Sequence, residues 1–212
     1  MILYGAVISP FVRKVAAYCH ERDIAFDHVF AGIGDPNPEF VAASPFRKMP
    51  ALIDGDFKIS DSSAIIHYLE AKHPQGTLIP TSAEMRARVI WFDEFADTIA
   101  TAAMGKIFFN RIVAPKFLGQ PGDEAAAVQG EAEMKPVCDY LEQVIPASGF
   151  LVDDRLTLAD LAAVCPFVNA AHCGVRPDAD SYPKLTAWLA AILGRPCFTD
   201  WIVSEKKLLS RI

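Results

Sequence analysis

The chain has no Cys-x-x-Cys pair, no run of basic residues and no stretch of about 18 apolar residues. The first absence removes the usual dithiol motif and the paired-cysteine zinc sites. The second, with a formal net charge of −6, speaks against a nucleic-acid surface. The third speaks against a membrane span. The opening segment, MILYGAVISPF, also lacks the basic start and long apolar core of a secretory signal. Cys19, Cys138, Cys165, Cys173 and Cys197 are scattered and odd in number. They read as reduced, mostly buried thiols of a cytoplasmic protein, with no metal expected.

What is present suits two modest domains. The 212 residues are 52% hydrophobic, ample for a core. Residues 2–5 form a short apolar run ended by glycine, which predicts a strand. Ser9-Pro10 then opens a helix, with Ser as cap and Pro at the first helical position. Residues 25–30 read as a second strand, residues 32–38 as a loop and residues 38–43 as a helical turn. Residues 50–54 and 57–59 flank Gly55 and predict a hairpin. Strand–helix alternation implies a parallel pair, and the hairpin adds antiparallel strands.

A helix start follows at Asp61-Ser62-Ser63, with Ala64, Ile65, Ile66, Tyr68 and Leu69 as the apolar positions after it. Its free N–H groups and partial positive charge suit a carboxylate. The acid at its tip suits an ammonium group. Together they fit an α-amino-acid head group.

Proline and glycine at residues 73–80 mark a break, with a linker over 77–83. Everything after it reads as helix. Long periodic stretches are expected from Ser82 to about Arg111 and over 123–144, the second with Pro136 inside. Thr157-Leu158-Ala159-Asp160 is a capping-box variant opening an apolar helix, with Leu156 and Leu161 placed as a hydrophobic staple. A helix over 182–193 and a last short one from Arg195-Pro196 complete the reading.

Four signatures, in order, resemble the cytosolic glutathione transferases, in a serine-type, bacterial-like form. They are Leu3-Tyr4-Gly5 with Ser9-Pro10; Met49-Pro50 before a hairpin; Asp61-Ser62-x-Ala64-Ile65; and Thr157-Leu158-Ala159-Asp160 with the terminal Tyr182-Pro183-Lys184-Leu185, Trp188-Leu189 and Arg195-Pro196. The resemblance spans essentially the whole chain. It implies a thioredoxin-like glutathione-binding domain over 1–76 and an all-α domain over 84–212. Met49-Pro50 would be a cis bond, with the Met49 backbone pairing the cysteinyl part of glutathione as a short added strand. Asp61 would take the ammonium and Ser62 the carboxylate of the γ-glutamyl group. The family often has Glu where Asp61 stands, so the reach is shorter here. Arg47 or Lys48 would face a glutathione carboxylate, and the sequence does not choose between them.

Ser9 is the expected thiol activator, because a hydroxyl can donate to the glutathione sulfur and favour the thiolate. Tyr4 is the rival. Cysteine-dependent members need a cysteine where this chain has Ser9, so disulfide reduction is not expected. Phe11, Met104, Phe108 and Phe109 are the candidate electrophile contacts, although such clusters also build plain core. The implied chemistry is glutathione attack on an apolar electrophile, with a homodimer as the working form. An isomerase, dehalogenase or peroxidase on this scaffold, or a ligand-binding module without turnover, remains as an alternative.

Overall fold

A computed structural model describes residues 1–211, and they divide into two units. One holds Met1–Leu78 and Pro196–Glu205, the other Ile79–Arg195 and the residues from Lys206 on.

The first unit carries β1 (Ile2–Tyr4), α1 (Pro10–Glu21), β2 (Asp27–Val29), α2 (Pro38–Ala43), β3 (Ala51–Asp54), β4 (Phe57–Ser60) and α3 (Ser62–Lys72). This is the expected order. The sheet runs β2-β1-β3-β4, with β1 parallel to β2 and the β1/β3 and β3/β4 pairs antiparallel. β2 is shorter than its apolar run, because only three of its residues find partners on β1.

Pairing of Leu3 with Leu52 and of Tyr4 with Ala51 sorts side chains between the two faces of the sheet. Tyr4 and Ala51 join Ala31 and, from α2, Phe40 and Ala43 in one buried cluster. Leu3 and Leu52 turn the other way. Val12, Val15 and Ala16 of α1 and Ile65, Ile66 and Leu69 of α3 have no exposed surface. Burying one such large aliphatic side chain is worth about 1.5–3 kcal/mol.

In the second unit, helical backbone runs from Ala83 to Phe117, beyond the expected end near Arg111. It comprises α4 (Ala83–Glu94), a π-helical stretch Phe95–Ala100, α5 (Thr101–Phe108) and a second π stretch Phe109–Phe117. Pro115 lies in the second stretch. A proline removes one N–H and crowds the carbonyl four residues back, and a wider turn relieves that crowding. The Leu118 N–H accordingly reaches five residues back to the Val113 carbonyl at 3.2 Å. Composition alone does not reveal a π turn.

α6 (Glu124–Val144) starts on its cap Asp123 and contains Pro136. It crosses α5 closely at Gly130, where a Cβ would lie 2.6 Å from the Ala103 carbonyl oxygen. α7 (Leu158–His172) is the centre of the unit, buried without a break from Leu158 to Ala170. Its capping box forms as the sequence predicts. Asp160 has no exposed surface and accepts from the Thr157 N–H at 3.0 Å, the Leu151 N–H at 2.9 Å and the Trp188 indole at 3.2 Å. Burial raises its pKa, and these three hydrogen bonds, with a fourth from the Thr157 hydroxyl at 3.2 Å, oppose the shift.

α8 (Pro183–Leu193) follows, and then α9 (Pro196–Leu209). α9 is not the short helix expected. Its residues Pro196–Glu205 also group with the first unit, whereas the sequence reading places 84–212 in one domain. Cys197, Phe198 and Glu205 are its buried residues. A glutamate in the buried stripe hides the apolar period that would have given the length. All five cysteines are free, four of them buried. Among the described residues, no helix is long and apolar enough to cross a membrane.

The Asp160 network generates a test of stability. Asp160→Ala leaves two N–H groups, the Thr157 hydroxyl and an indole without their acceptor, and should cost about 3 kcal/mol or more in chemical denaturation. Asp160→Asn keeps one acceptor oxygen and should lose less.

Candidate functional site

Ser9 stands where the chain turns from β1 into α1. Its backbone is extended (φ −72°, ψ 127°), Pro10 follows as the first helical residue, and Oγ accepts the Val12 N–H at 3.4 Å. The side chain is 9% exposed. The turn before it depends on Gly5, at φ +151°, where a Cβ would lie 2.4 Å from Val12 Cγ2. Only glycine fits there. The Gly5 N–H donates to the Val29 carbonyl at 3.1 Å, and the Ser9 N–H to the Ala6 carbonyl at 3.0 Å.

Tyr4, three residues into the chain's first strand, is buried at 1% exposure. Its hydroxyl donates to Glu39 Oε2 at 2.7 Å. Burial first, and then the Glu39 carboxylate, push its pKa up to about 12.

The Met49–Pro50 bond is cis, and β3 starts at the next residue. Continuing the β1/β3 register brings Met49 beside the Ser9 turn, and the Ala6 N–H lies 3.4 Å from Met49 Sδ. Ser44 fixes the approach: its buried hydroxyl donates to the Lys48 carbonyl at 2.7 Å and accepts the Lys48 N–H at 2.9 Å. Arg47 and Lys48 are both exposed, and Arg47 sits at φ +54°.

Asp61 caps α3. Its carboxylate accepts the Ala64 N–H at 3.0 Å, and its own N–H donates to the Pro50 carbonyl at 3.3 Å. Its φ of +85° is in a region non-glycine residues rarely occupy, at a cost of order 1–3 kcal/mol. Asp61 is exposed, while Ser62 behind it is buried at 2% exposure. Ser9, Arg47, Lys48, Met49, Pro50, Asp61 and Ser62 thus all belong to the first unit. The Ala6–Met49 and Pro50–Asp61 contacts join their three segments.

The sequence reading overlooked three supporting side chains. Ser44 follows α2 and precedes Pro45, a turn signal passed over. Glu39 engages Tyr4. Lys14, 1% exposed on α1, donates to Ser63 Oγ at 3.2 Å, directly beside Ser62. Lysines are so seldom buried that nothing in the sequence suggests this one is.

Of the electrophile candidates, Phe11 is half-buried on α1 in the first unit. Met104 and Phe108 are interior to the second unit, at 0% and 5% exposure, and Phe109 is exposed.

Comparison with known proteins gives the same direction. Residues 3–77 match the glutathione S-transferase N-terminal domain, and residues 100–196 the glutathione S-transferase C-terminal domain. The chain is 31% identical over 208 residues to a glutathione S-transferase of Hyoscyamus muticus, covering 95% of this chain and 97% of that one. It is 32% identical over 209 residues to glutathione S-transferase 3 of Zea mays, covering 95% and 93%. A solved glutathione S-transferase from Rhodospirillum rubrum aligns with a TM-score of 0.86 at 26% identity, over 94% of this chain and 90% of that one. Glutathione S-transferase-I bound with lactoylglutathione aligns at 0.81 and 28% identity, over 95% and 98%. A thioredoxin-like first unit followed by a helical second unit is the transferase architecture these proteins share. The chain belongs to the glutathione S-transferase family, and glutathione transfer is its enzymatic activity.

Proposed function

We propose that Ser9 holds glutathione as a thiolate for attack on an apolar electrophile. The observation that carries this reading is the state of the two hydroxyls near the start of the chain. Ser9 Oγ accepts from the Val12 N–H, which leaves its own proton free to be donated. The Tyr4 proton is already given to Glu39, and that group's raised pKa makes it a poorer donor to a thiolate.

The magnitudes suffice. A thiol near pKa 8.5 needs a fall of about two units to be mostly ionised at neutral pH, or roughly 2.7 kcal/mol. A hydrogen bond to a charged partner supplies about 1.5–3 kcal/mol. The positive end of α1 adds about 0.3–1 kcal/mol.

The tripeptide is held by the rest of the first unit. The Met49 backbone, beside the cis Pro50, takes the cysteinyl part. Asp61 takes the γ-glutamyl ammonium, and Ser62 with the α3 N-terminus takes its carboxylate. Arg47 and Lys48 are both exposed to meet the second carboxylate. Phe11 is the proposed electrophile contact, with accessible surface on α1, whereas Met104 and Phe108 are packed inside the helical unit and offer a substrate little or no surface. Free cysteines support a reducing compartment, the cytoplasm. The working form is a homodimer, with Phe46 as an anchor: 88% of this aromatic surface is exposed on a loop.

Three experiments test the reading. Ser9→Ala should raise the titration midpoint of the bound thiolate, followed by its ultraviolet absorbance, by about one to two units. Turnover at neutral pH should then fall roughly ten- to a hundredfold and recover in part at higher pH. An unchanged midpoint makes Ser9 a helix cap only.

Asp61→Ala and Ser62→Ala should each weaken glutathione binding by about 1–3 kcal/mol in calorimetry. Wild-type affinity in both variants would remove them from the site.

Light scattering at micromolar concentration should give twice the chain mass, and Phe46→Ala should shift it toward the monomer. A wild-type monomer refutes the assembly.

A further inference from the structure

We propose that Trp201 and His28 are positioning residues that fix the turn carrying Ser9 and so set the acidity of the bound thiol. The proposal rests on the Ser9 reading and extends it to residues 28 and 201.

Between β1 and α1 the chain must expose three successive carbonyls, those of Gly5, Ala6 and Val7. Each has a defined donor. Ala6 receives the Ser9 N–H at 3.0 Å, a bond local to the turn. Gly5 receives His28 Nε2 at 2.9 Å, from the strand β2. Val7 receives the Trp201 indole N–H at 2.9 Å, from α9, 194 residues further along the chain. The two donors also support each other, since their rings pack edge to face with centroids 5.1 Å apart.

The chemistry of His28 is set by this arrangement. A carbonyl can only accept, so Nε2 carries the proton. Burial lowers the imidazole pKa, which favours the neutral ring with that one N–H in place.

α9 is itself seated on α1 by a fully buried ion pair, Arg13 Nε to Glu205 Oε1 at 2.6 Å. Arg13 lies one turn after Ser9, and Glu205 one turn after Trp201. The ion pair therefore fixes the height of α9 along α1, and with it the place where the indole meets the turn. All of these residues lie in the first unit. A catalytic hydrogen bond loses much of its effect when its donor shifts by about an ångström. Without the two donors the turn keeps its Ala6–Ser9 bond and the Gly5 and Ala6 N–H contacts at its start, but the Gly5 and Val7 carbonyls lose theirs and the turn gains that freedom. The Met49 and Asp61–Ser62 segments are tied to each other through the Pro50 carbonyl and meet the turn through the long Ala6 N–H contact to Met49 Sδ, so glutathione affinity should follow the turn only weakly.

The test compares titration midpoints of bound thiolate in five proteins: wild type, Ser9→Ala, Trp201→Phe, His28→Leu and His28→Gln. Trp201→Phe keeps a ring and removes the donor. His28→Leu removes the donor, and His28→Gln restores an N–H at nearly the same reach. Trp201→Phe and His28→Leu should raise the midpoint by about half to one unit, a three- to tenfold loss of thiolate below it. kcat at neutral pH should fall alongside, with KM for glutathione within about twofold of wild type. His28→Gln should return most of the way to the wild-type midpoint.

A role in stability alone lowers the melting temperature and leaves the midpoint of the folded protein where it was. That result in Trp201→Phe and His28→Leu, with Ser9→Ala shifted, overturns this proposal and leaves the Ser9 reading standing. If Ser9→Ala itself is unshifted, both fall. If Trp201→Phe does not fold, the two His28 variants decide alone.

Discussion

The N–H groups that open a helix have no partner within it, and satisfying them is the constraint on which both the fold and the site depend. Ser9, Asp61 and Thr157 with Asp160 each solve this problem at the start of α1, α3 and α7. The solutions differ in how completely they commit the side chain. Asp160 is spent entirely: it is sealed in the helical unit with acceptors filled from the backbone and from Trp188. Asp61 gives one oxygen to the Ala64 N–H and stays exposed. Ser9 accepts at 3.4 Å, longer than the usual 2.7–3.2 Å for such a bond. The weakest cap is the one proposed to act on the sulfur, and it loses least when its hydroxyl turns to a new partner.

This explains what was legible in the sequence. A cap is local, so Ser9-Pro10, Asp61-Ser62 and Thr157-x-x-Asp160 announce their helices within four residues, and the structure has each in place. The parallel pair and the antiparallel hairpin followed in the same way from alternation and Gly55, whereas the β1/β3 pairing that sets the order β2-β1-β3-β4 did not. Features made by distant partners were not legible. Lys14 and Arg13 look like an ordinary exposed basic pair, yet both are buried. Glu205 interrupts the apolar stripe of α9 and concealed its length. The π stretches after α4 and α5 change the turn without changing the composition. Nothing near Trp201 in the sequence announces that its indole donates to the Val7 carbonyl.

The buried charges bear on specificity more than on stability. Desolvating Arg13 and Glu205 costs several kcal/mol per ion, and their attraction roughly offsets this. An apolar pair of the same volume would hold α9 about as tightly. It would not select a single register, because aliphatic side chains slide against one another with little penalty. A guanidinium facing a carboxylate does select one. Arg13 and Glu205 are 192 residues apart, so no short connection sets the register of α9 on α1, and the ion pair supplies that pin.

In the proposed site, Asp61 would combine backbone strain with binding. Its φ of +85° would be relieved by glycine, which is the usual occupant of such a position. Glycine would lose the carboxylate that caps α3. Asparagine would keep a cap and tolerate the backbone, but would carry no charge. Capping and backbone alone therefore do not require an acid here; asparagine meets both at comparable cost. A negative charge complements the partial positive end of α3 by about 0.3–1 kcal/mol, and in the proposed site it would also meet the ammonium group of glutathione. The same turn sends the Asp61 N–H to the Pro50 carbonyl, so the charge is held at a set distance from Met49. Strain of order 1–3 kcal/mol persists where the surrounding bonds over-determine it, and here two of them do.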